Sequence, residues 1–392
     1  MIPRSLLVLG LVTLVTGSRH RQGLRAPPPT GRAPPPEQWI TQRLDHFRLT
    51  EQRTWRQRYW VNWAHYTPGG PALLMIGGEG EANPAWMEAG AWTTYAKETG
   101  AAMLLLEHRF YGQSHPTPDL GVKNLVWLSS RQALADLANF ITQMEASHNL
   151  TGPWVALGGS YPGSLAAWLR LKYPHLVAGS VSTSGPLLAK ADFYEYLEVV
   201  TASLDTVPGC VPALRKAVKR LGELLEDGKG CQYITNKFRL CSPLDRANTN
   251  DVINLYESLI GNFEGIVQYN KDNKAFEGAQ WGNVTIDTVC DILVSSNTGP
   301  VTSLGDWELD GLAGVNDLTL MMTDQTCLDH TYESEVRFEF QTSILNLICT
   351  GQQPPAEQLG LRRRCRGAPV DLPDLHRVWL VSVIRCPGLL LG

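Results

Sequence analysis

Short apolar runs alternate with longer amphipathic stretches over residues 72–182. The runs have the length of strands, and the stretches between them have the spacing of helices. The predicted strands are Ala72–Ile76, Ala102–Leu106, Trp154–Leu157 and Ala178–Ser182, and the predicted helices are Trp86–Glu98, Arg131–Ala146 and Ser164–Tyr173. This alternation predicts a parallel sheet with helices on both faces.

The pattern changes after Ala189, where helical stretches follow one another without strands between them. The predicted helices here are Asp192–Leu204, Pro212–Glu226 and Asp251–Glu264. All eight cysteines also lie beyond residue 200, at Cys210, Cys231, Cys241, Cys290, Cys327, Cys349, Cys365 and Cys386. We therefore predict a sheet-containing core at residues 38–190, a helical, cysteine-containing region at 191–345 and a divergent tail at 346–392.

The N-terminus has the features of a signal peptide, which we assign to residues 1–18. An apolar run from Ser5 to Val15 follows Arg4 and ends in small residues. This run is shorter than the roughly 20 residues that span a bilayer, so an anchor is the weaker interpretation. Residues 19–37 are rich in proline and predict an extended linker.

Other features agree with an exported protein. The sequons at Asn149 and Asn283 predict N-glycosylation. The cysteines include no C-x-x-C spacing and no accompanying histidine cluster, so we expect disulfides rather than a metal site, with the pairing left open. We expect a secretory-pathway location, either extracellular or lysosomal and vesicular.

Composition narrows the function classes. The 392-residue chain is 43% hydrophobic and 18% charged, with a formal net charge of −4. A basic block occurs only at Arg362–Arg364, so neither nucleic acid nor an anionic membrane is an expected partner. Phosphate-loop and metal signatures are missing, and no cofactor is predicted. The oligomeric state stays open.

The chemical motif is Gly-Gly-Ser-Tyr-Pro-Gly at residues 158–163, between a predicted strand and a predicted helix. This context is typical of the nucleophile elbow of an α/β-hydrolase, and it predicts Ser160 as the nucleophile. The backbone N–H of Tyr161 is then one oxyanion donor. The loop Gly77–Gly80 offers Gly78 and Glu79 as a second donor. The alternative interpretation is that both segments are ordinary glycine turns.

Four ordered motifs carry a family resemblance. They are residues 42–47 (Gln-Arg-Leu-Asp-His-Phe), the Gly-Gly-Glu-Gly loop, residues 107–114 (Glu-His-Arg-Phe-Tyr-Gly-Gln-Ser) and the elbow. Together they resemble the serine peptidase family of prolyl carboxypeptidase, dipeptidyl peptidase 2 and thymus-specific serine protease, with the thymus-specific type nearest, over Trp39 to Phe340. The resemblance implies hydrolysis of proline-containing peptides through Ser160. It also implies an α/β-hydrolase core whose helical region is a cap over the site. His108 is interpreted as structural, because the base follows the serine in this fold.

The other triad members are not identified. Downstream histidines are His175, His330 and His376. We interpret His175 as a surface residue and His330 as a non-catalytic cap residue. His376 follows Asp371 and Asp374, yet nothing there resembles the family's Asp-Pro-Trp-His or His-Cys segments. We therefore expect the last part of the sheet to be incomplete.

Three functions stay open on this evidence. The first is a serine exopeptidase of the dipeptidyl peptidase or prolyl carboxypeptidase type. The second is a non-catalytic binding protein on a hydrolase scaffold, and the third is an esterase or lipase, which uses the same elbow.

Overall fold

One mixed sheet lies at the centre of the N-terminal half. The computed structural model of the chain describes residues 31, 33–188, 190, 193–226, 230–271, 284–296 and 307–334. The strands are β1 (Gln38–Arg43), β2 (Thr54–Asn62), β3 (Ala72–Ile76), β4 (Ala102–Leu106), β5 (Trp154–Gly159) and β6 (Gly179–Thr183). Their order in the sheet is β1-β2-β4-β3-β5-β6. The last four strands in this order are parallel, whereas β1 and β2 pair antiparallel at the other edge.

The parallel strands confirm the predicted α/β fold class. The bounds of β3 and β4 are those predicted, and β5 and β6 differ from prediction by one or two residues at their ends. Leu74, Leu104 and Ala156 are almost completely buried, because helices cover both faces of these central strands. Residues 181–183 of β6 are exposed, and among the described residues this strand pairs only with β5.

The two antiparallel strands were not predicted from the hydrophobic pattern. Gln42, Gln57 and Arg58 are buried in them, although these residue types normally indicate an exposed position. Gln42 Nε2 donates to Gln57 Oε1 at 2.8 Å, and Gln57 Nε2 donates to the carbonyl oxygen of Glu107 at 2.6 Å. Paired polar groups of this kind can be buried at little cost, and they obscure the alternation that identifies a strand.

Helices pack on both faces of the sheet, as predicted. The helices of this half are α1 (Ala91–Thr99), α2 (Ser130–His148) and α3 (Tyr161–Lys172). Phe140 of α2 and Leu165 of α3 belong to one hydrophobic core, and Trp92 of α1 belongs to another. The single predicted helix Trp86–Glu98 is wrong. A 3₁₀ turn at Pro84–Met87 and α1 replace it, because the chain turns at Gly90 with φ 97°.

The cysteine-containing region has a hydrophobic core of its own. Its helices are α4 (Glu195–Leu204), α5 (Cys210–Glu226), α6 (Gly230–Lys237), α7 (Thr249–Gln268), α8 (Ile286–Ser296) and α9 (Trp307–Met322). Leu221, Leu255, Phe263 and Leu312 are buried in this core. The three predicted helices are present with shifted ends, whereas α6, α8 and α9 were not predicted. Among all the helices that the structure describes, none is long and apolar enough to cross a membrane.

Two disulfides connect elements of the helical region, which confirms the prediction of disulfides for four cysteines. Cys210 at the start of α5 bonds to Cys290 in α8, and Cys241 bonds to Cys327. Cys231 has no disulfide partner within the described ranges. Cys349, Cys365 and Cys386 lie outside the described residues.

We expect loss of the Cys210–Cys290 bond to destabilise the helical region. The bond closes a sequence separation of 80 residues, and a long closed loop removes much entropy from the unfolded chain. The double variant Cys210→Ala/Cys290→Ala should lose about 2–4 kcal/mol of unfolding free energy, measured by denaturant titration. Cys231→Ala is the matched control, and a loss of equal size in that variant would contradict the expectation.

Candidate active site

Ser160 lies on a strained turn between β5 and α3. Its backbone angles are φ 60° and ψ −135°, a region that residues other than glycine rarely occupy. The Ser160 N–H donates to the carbonyl oxygen of Thr183 in β6 at 2.9 Å. The Ser160 carbonyl oxygen accepts from the N–H groups of Gly163 at 2.8 Å and Ser164 at 3.2 Å. The surrounding backbone therefore holds the turn that the motif predicts.

Close packing explains the small residue before the serine. A Cβ atom on Gly158 would lie 2.1 Å from the carbonyl oxygen of Pro162, so a larger residue there would displace the first turn of α3. Pro162 lies in the first turn of α3. Proline is tolerated there although it has no backbone N–H, because the first N–H groups of a helix have no acceptor within the helix.

The N–H of Tyr161 is available at the start of α3. It is the first residue of the helix, and none of the described residues accepts a backbone hydrogen bond from it. The positive end of the helix dipole is at the same place. These features fit the oxyanion donor predicted from the sequence, and that role stays a prediction.

The Gly77–Gly80 loop lies against the elbow. A Cβ atom on Gly78 would lie 2.6 Å from Cγ of Pro162, so the loop and the first turn of α3 touch. Burial raises the pKa of the Glu79 carboxyl group. The loop is thus adjacent to the serine, as a second oxyanion donor at Gly78 or Glu79 requires, and the donor role itself stays a prediction.

Three consecutive side chains of the 107–114 motif join three different elements. Glu107, which is fully buried, accepts from Arg58 of β2, with Arg58 Nη2 to Glu107 Oε1 at 2.6 Å. Ser114 Oγ also donates to Glu107 Oε2, at 2.6 Å. Burial raises the pKa of Glu107, and the bonds from Arg58 and Ser114 oppose that shift.

The next two residues of the motif connect to α3 and α2. His108 is 4% exposed, and its Nε2 lies 3.0 Å from the hydroxyl oxygen of Tyr161. Arg109 is 0% exposed, and its Nε donates to Asp136 Oδ2 at 2.6 Å. Asp136 Oδ1 also lies 2.7 Å from Nε2 of His46. The motif therefore anchors the core beside the serine.

Sequence reasoning missed Arg58 and Asp136 as members of this network. Neither residue lies in a recognisable motif, and each reads as a surface charge in the hydrophobic pattern. The sequence pointed only to the residues that bind Arg58 and Asp136. These residues are Glu107, Arg109 and His46, which belong to the motifs at 107–114 and 42–47.

The downstream histidines do not complete a triad in the described part of the chain. His175 is exposed, as predicted, and its ring is tilted against that of Tyr173 with centroids 6.2 Å apart. His330 is fully buried in the helical region, where both ring nitrogens lack hydrogen-bond partners among the described residues and burial lowers its pKa. His376, Asp371 and Asp374 lie outside the described residues.

The remaining site predictions concern glycosylation and metals. Asn149 is exposed at the C-terminal end of α2 with φ 52°, so a sugar attached there would extend into solvent, and its glycosylation stays a prediction. Asn283 lies outside the described residues. A grouping of three or more metal-ligating side chains does not occur within the described ranges.

We expect Ser160→Gly to stabilise the fold relative to Ser160→Ala. Both variants remove the hydroxyl, but only glycine relieves the positive φ of 60°. The difference should be about 1 kcal/mol of unfolding free energy after the greater chain entropy of glycine is included. Denaturant titration of both variants measures it. Equal stabilities would contradict a strained turn at this position.

We expect Gly78→Ala to disturb the elbow. The new Cβ atom would lie 2.6 Å from Pro162 Cγ, so the variant should lose about 1–3 kcal/mol of unfolding free energy through overpacking. Gly80→Ala is the matched control, because nothing lies within 4 Å of its Cβ position, and its effect should stay within about 0.5 kcal/mol. Similar thermal midpoints for the two variants would be evidence against the contact.

Comparison with known proteins identifies the family. The serine carboxypeptidase S28 family matches residues 42–343. The human thymus-specific serine protease is 39% identical over 252 residues, which cover 62% of this chain and 48% of that protein. The mouse lysosomal Pro-X carboxypeptidase is 34% identical over 258 residues, covering 61% of this chain and 52% of that protein. The chain thus spans about half the length of these curated relatives. The match to most of the sequence, together with the serine elbow, means that the chain belongs to the serine carboxypeptidase S28 family.

Proposed function

We propose that the protein is a serine exopeptidase of the secretory pathway that cleaves peptides through an acyl-enzyme on Ser160. The observation that carries this proposal is the position of Ser160 at φ 60° between β5 and α3 in a chain of a serine peptidase family. The disulfides Cys210–Cys290 and Cys241–Cys327 support an oxidising compartment.

The reaction uses the parts of the site in a fixed order. A histidine takes the proton of Ser160 Oγ as the oxygen attacks the scissile carbonyl carbon. The N–H of Tyr161, with that of Gly78 or Glu79, binds the resulting oxyanion. The C–N bond then breaks and the amine leaves with the proton. Water releases the acyl group by the same steps, and no cofactor takes part.

The names of the relatives support a proposal for the substrate class. The mouse relative's name describes a carboxypeptidase acting at Pro-X, and we propose peptides with a proline beside the scissile bond. The helical region at residues 191–345 is proposed as the cap that limits access to chain ends. His376 is the candidate base, because it follows Ser160 and two aspartates in the order typical of this fold.

A second candidate is a binding protein that captures peptides without turnover. It is favoured by one observation: in the described part of the chain, none of the histidines hydrogen-bonds the Ser160 hydroxyl. The esterase alternative has no observation of its own in its favour.

A fluorophosphonate probe tests the proposal on the full chain, secreted from an oxidising host. We expect labelling that is lost in Ser160→Ala and reduced about 10³-fold or more in His376→Gln, because the unactivated hydroxyl is a weak nucleophile. His175→Gln, at an exposed position, is the matched control. Hydrolysis of a free-amino X-Pro amide and of a blocked peptide ending in Pro-X then separates the two exopeptidase types. A folded chain that is not labelled would select the binding protein.

A further inference from the structure

His108 is held by contacts with three residues beside the elbow. Its Nδ1 lies 2.7 Å from the carbonyl oxygen of Arg109, and its Nε2 lies 3.0 Å from the hydroxyl oxygen of Tyr161. The rings of Tyr111 and Tyr161 pack against it with centroids at 5.3 and 5.5 Å. The imidazole is therefore fixed in position on both of its nitrogens.

These contacts determine which nitrogen carries the proton. A carbonyl oxygen only accepts, so Nδ1 of His108 must be the protonated nitrogen. Burial lowers the pKa of His108 to about 4, and the ring is neutral near pH 7. Nε2 consequently has a free lone pair, and the hydroxyl of Tyr161 donates to it.

The residue whose carbonyl oxygen accepts from His108, Arg109, is itself held in place by its side chain. The Arg109 guanidinium, next to the carbonyl that His108 uses, donates to both oxygens of Asp136, at 2.6 and 2.8 Å. The same guanidinium donates to the carbonyl oxygen of Leu44 at 3.1 Å. His108 therefore receives its orientation from a buried ion pair rather than from a surface loop.

The donor side is the residue that follows the nucleophile. Tyr161 comes directly after the strained Ser160, and its N–H is the proposed oxyanion donor. Burial raises the pKa of the Tyr161 hydroxyl, which keeps the proton available for the bond to His108. The side-chain bond therefore restrains the same residue whose backbone N–H must face the reacting carbonyl.

We infer that His108 is a positioning residue, which as the neutral Nδ1–H tautomer holds Tyr161 so that its backbone N–H faces the oxyanion. This inference rests on the proposed peptidase function and adds a role that the position of His108 before the serine in the chain does not suggest. The hydrogen bond between His108 and Tyr161 orients the oxyanion donor and does not contact the substrate. Its loss therefore lowers the rate of acylation and leaves substrate affinity unchanged.

The test uses the full chain with His108→Ala, His108→Gln and Tyr161→Phe, and with the exposed His175→Gln as matched control. The rate constant of fluorophosphonate labelling per folded molecule should fall about 10–100-fold in His108→Ala and Tyr161→Phe. His108→Gln should recover part of the loss, since its amide oxygen can accept from the tyrosine. The double variant His108→Ala/Tyr161→Phe should be no slower than His108→Ala, because both changes remove one bond.

A second measurement does not depend on activity. Nitrogen-15 NMR of the histidine rings at pH 7 should place the His108 proton on Nδ1, and Tyr161→Phe should shift the Nε2 resonance. A proton on Nε2, or unchanged labelling rates in the variants, overturns the inference. Wild-type chain that shows the Nδ1–H tautomer but is not labelled instead overturns the proposed function, and with it the role of the bond in acylation.

Discussion

The buried ion pair between Arg109 and Asp136 is the constraint on which the rest of the core depends. Both side chains are removed from water, at 0% and 1% exposure. Such a pair contributes little net stability when it is intact, but a single partner left behind costs about 3–5 kcal/mol. The main contribution of this ion pair is therefore to fix the positions of the segments that carry Arg109 and Asp136. It fixes the segment after β4 against α2, while His46, in the segment that follows β1, contacts the same carboxylate.

The turn at Ser160 is also restrained from this segment, through the contact between His108 and Tyr161. Glu107 and Arg109 are directed to opposite partners, Arg58 in β2 and Asp136 in α2. The side chain of His108, the residue between them, is directed to a third partner, Tyr161 in α3. Glu107 and Arg109 thus fix the segment against β2 and α2, and His108 between them holds Tyr161. In this way the packing of the sheet and α2 sets the orientation of the Tyr161 backbone N–H beside Ser160.

The sequence allowed the central strands and the elbow to be predicted, for identifiable reasons. Continuous apolar runs such as Ala72–Ile76 are typical of a parallel strand covered on both faces. A serine that follows two glycines at a strand-to-helix junction is a specific signal for the elbow. The strands that contain the buried Gln42, Gln57 and Arg58 were not predicted. Hydrogen bonds between polar side chains allow these residues to be buried, but the hydropathy of the sequence does not reveal such bonds. The contact of His108 was equally invisible, since it joins residues 53 positions apart through side-chain atoms alone.

The position of β6 has a consequence for the thermal sensitivity of the proposed activity. The N–H of Ser160 donates to the carbonyl oxygen of Thr183, in the strand whose residues 181–183 are exposed. Hydrogen bonds of an exposed strand open in local fluctuations that leave the core folded. Opening of β6 would release one side of the strained turn, and Ser160 could then relax to an unstrained conformation. The proposed activity would consequently be lost on heating before the molecule melts, with the sheet and both ion pairs of the 107–109 segment still in place.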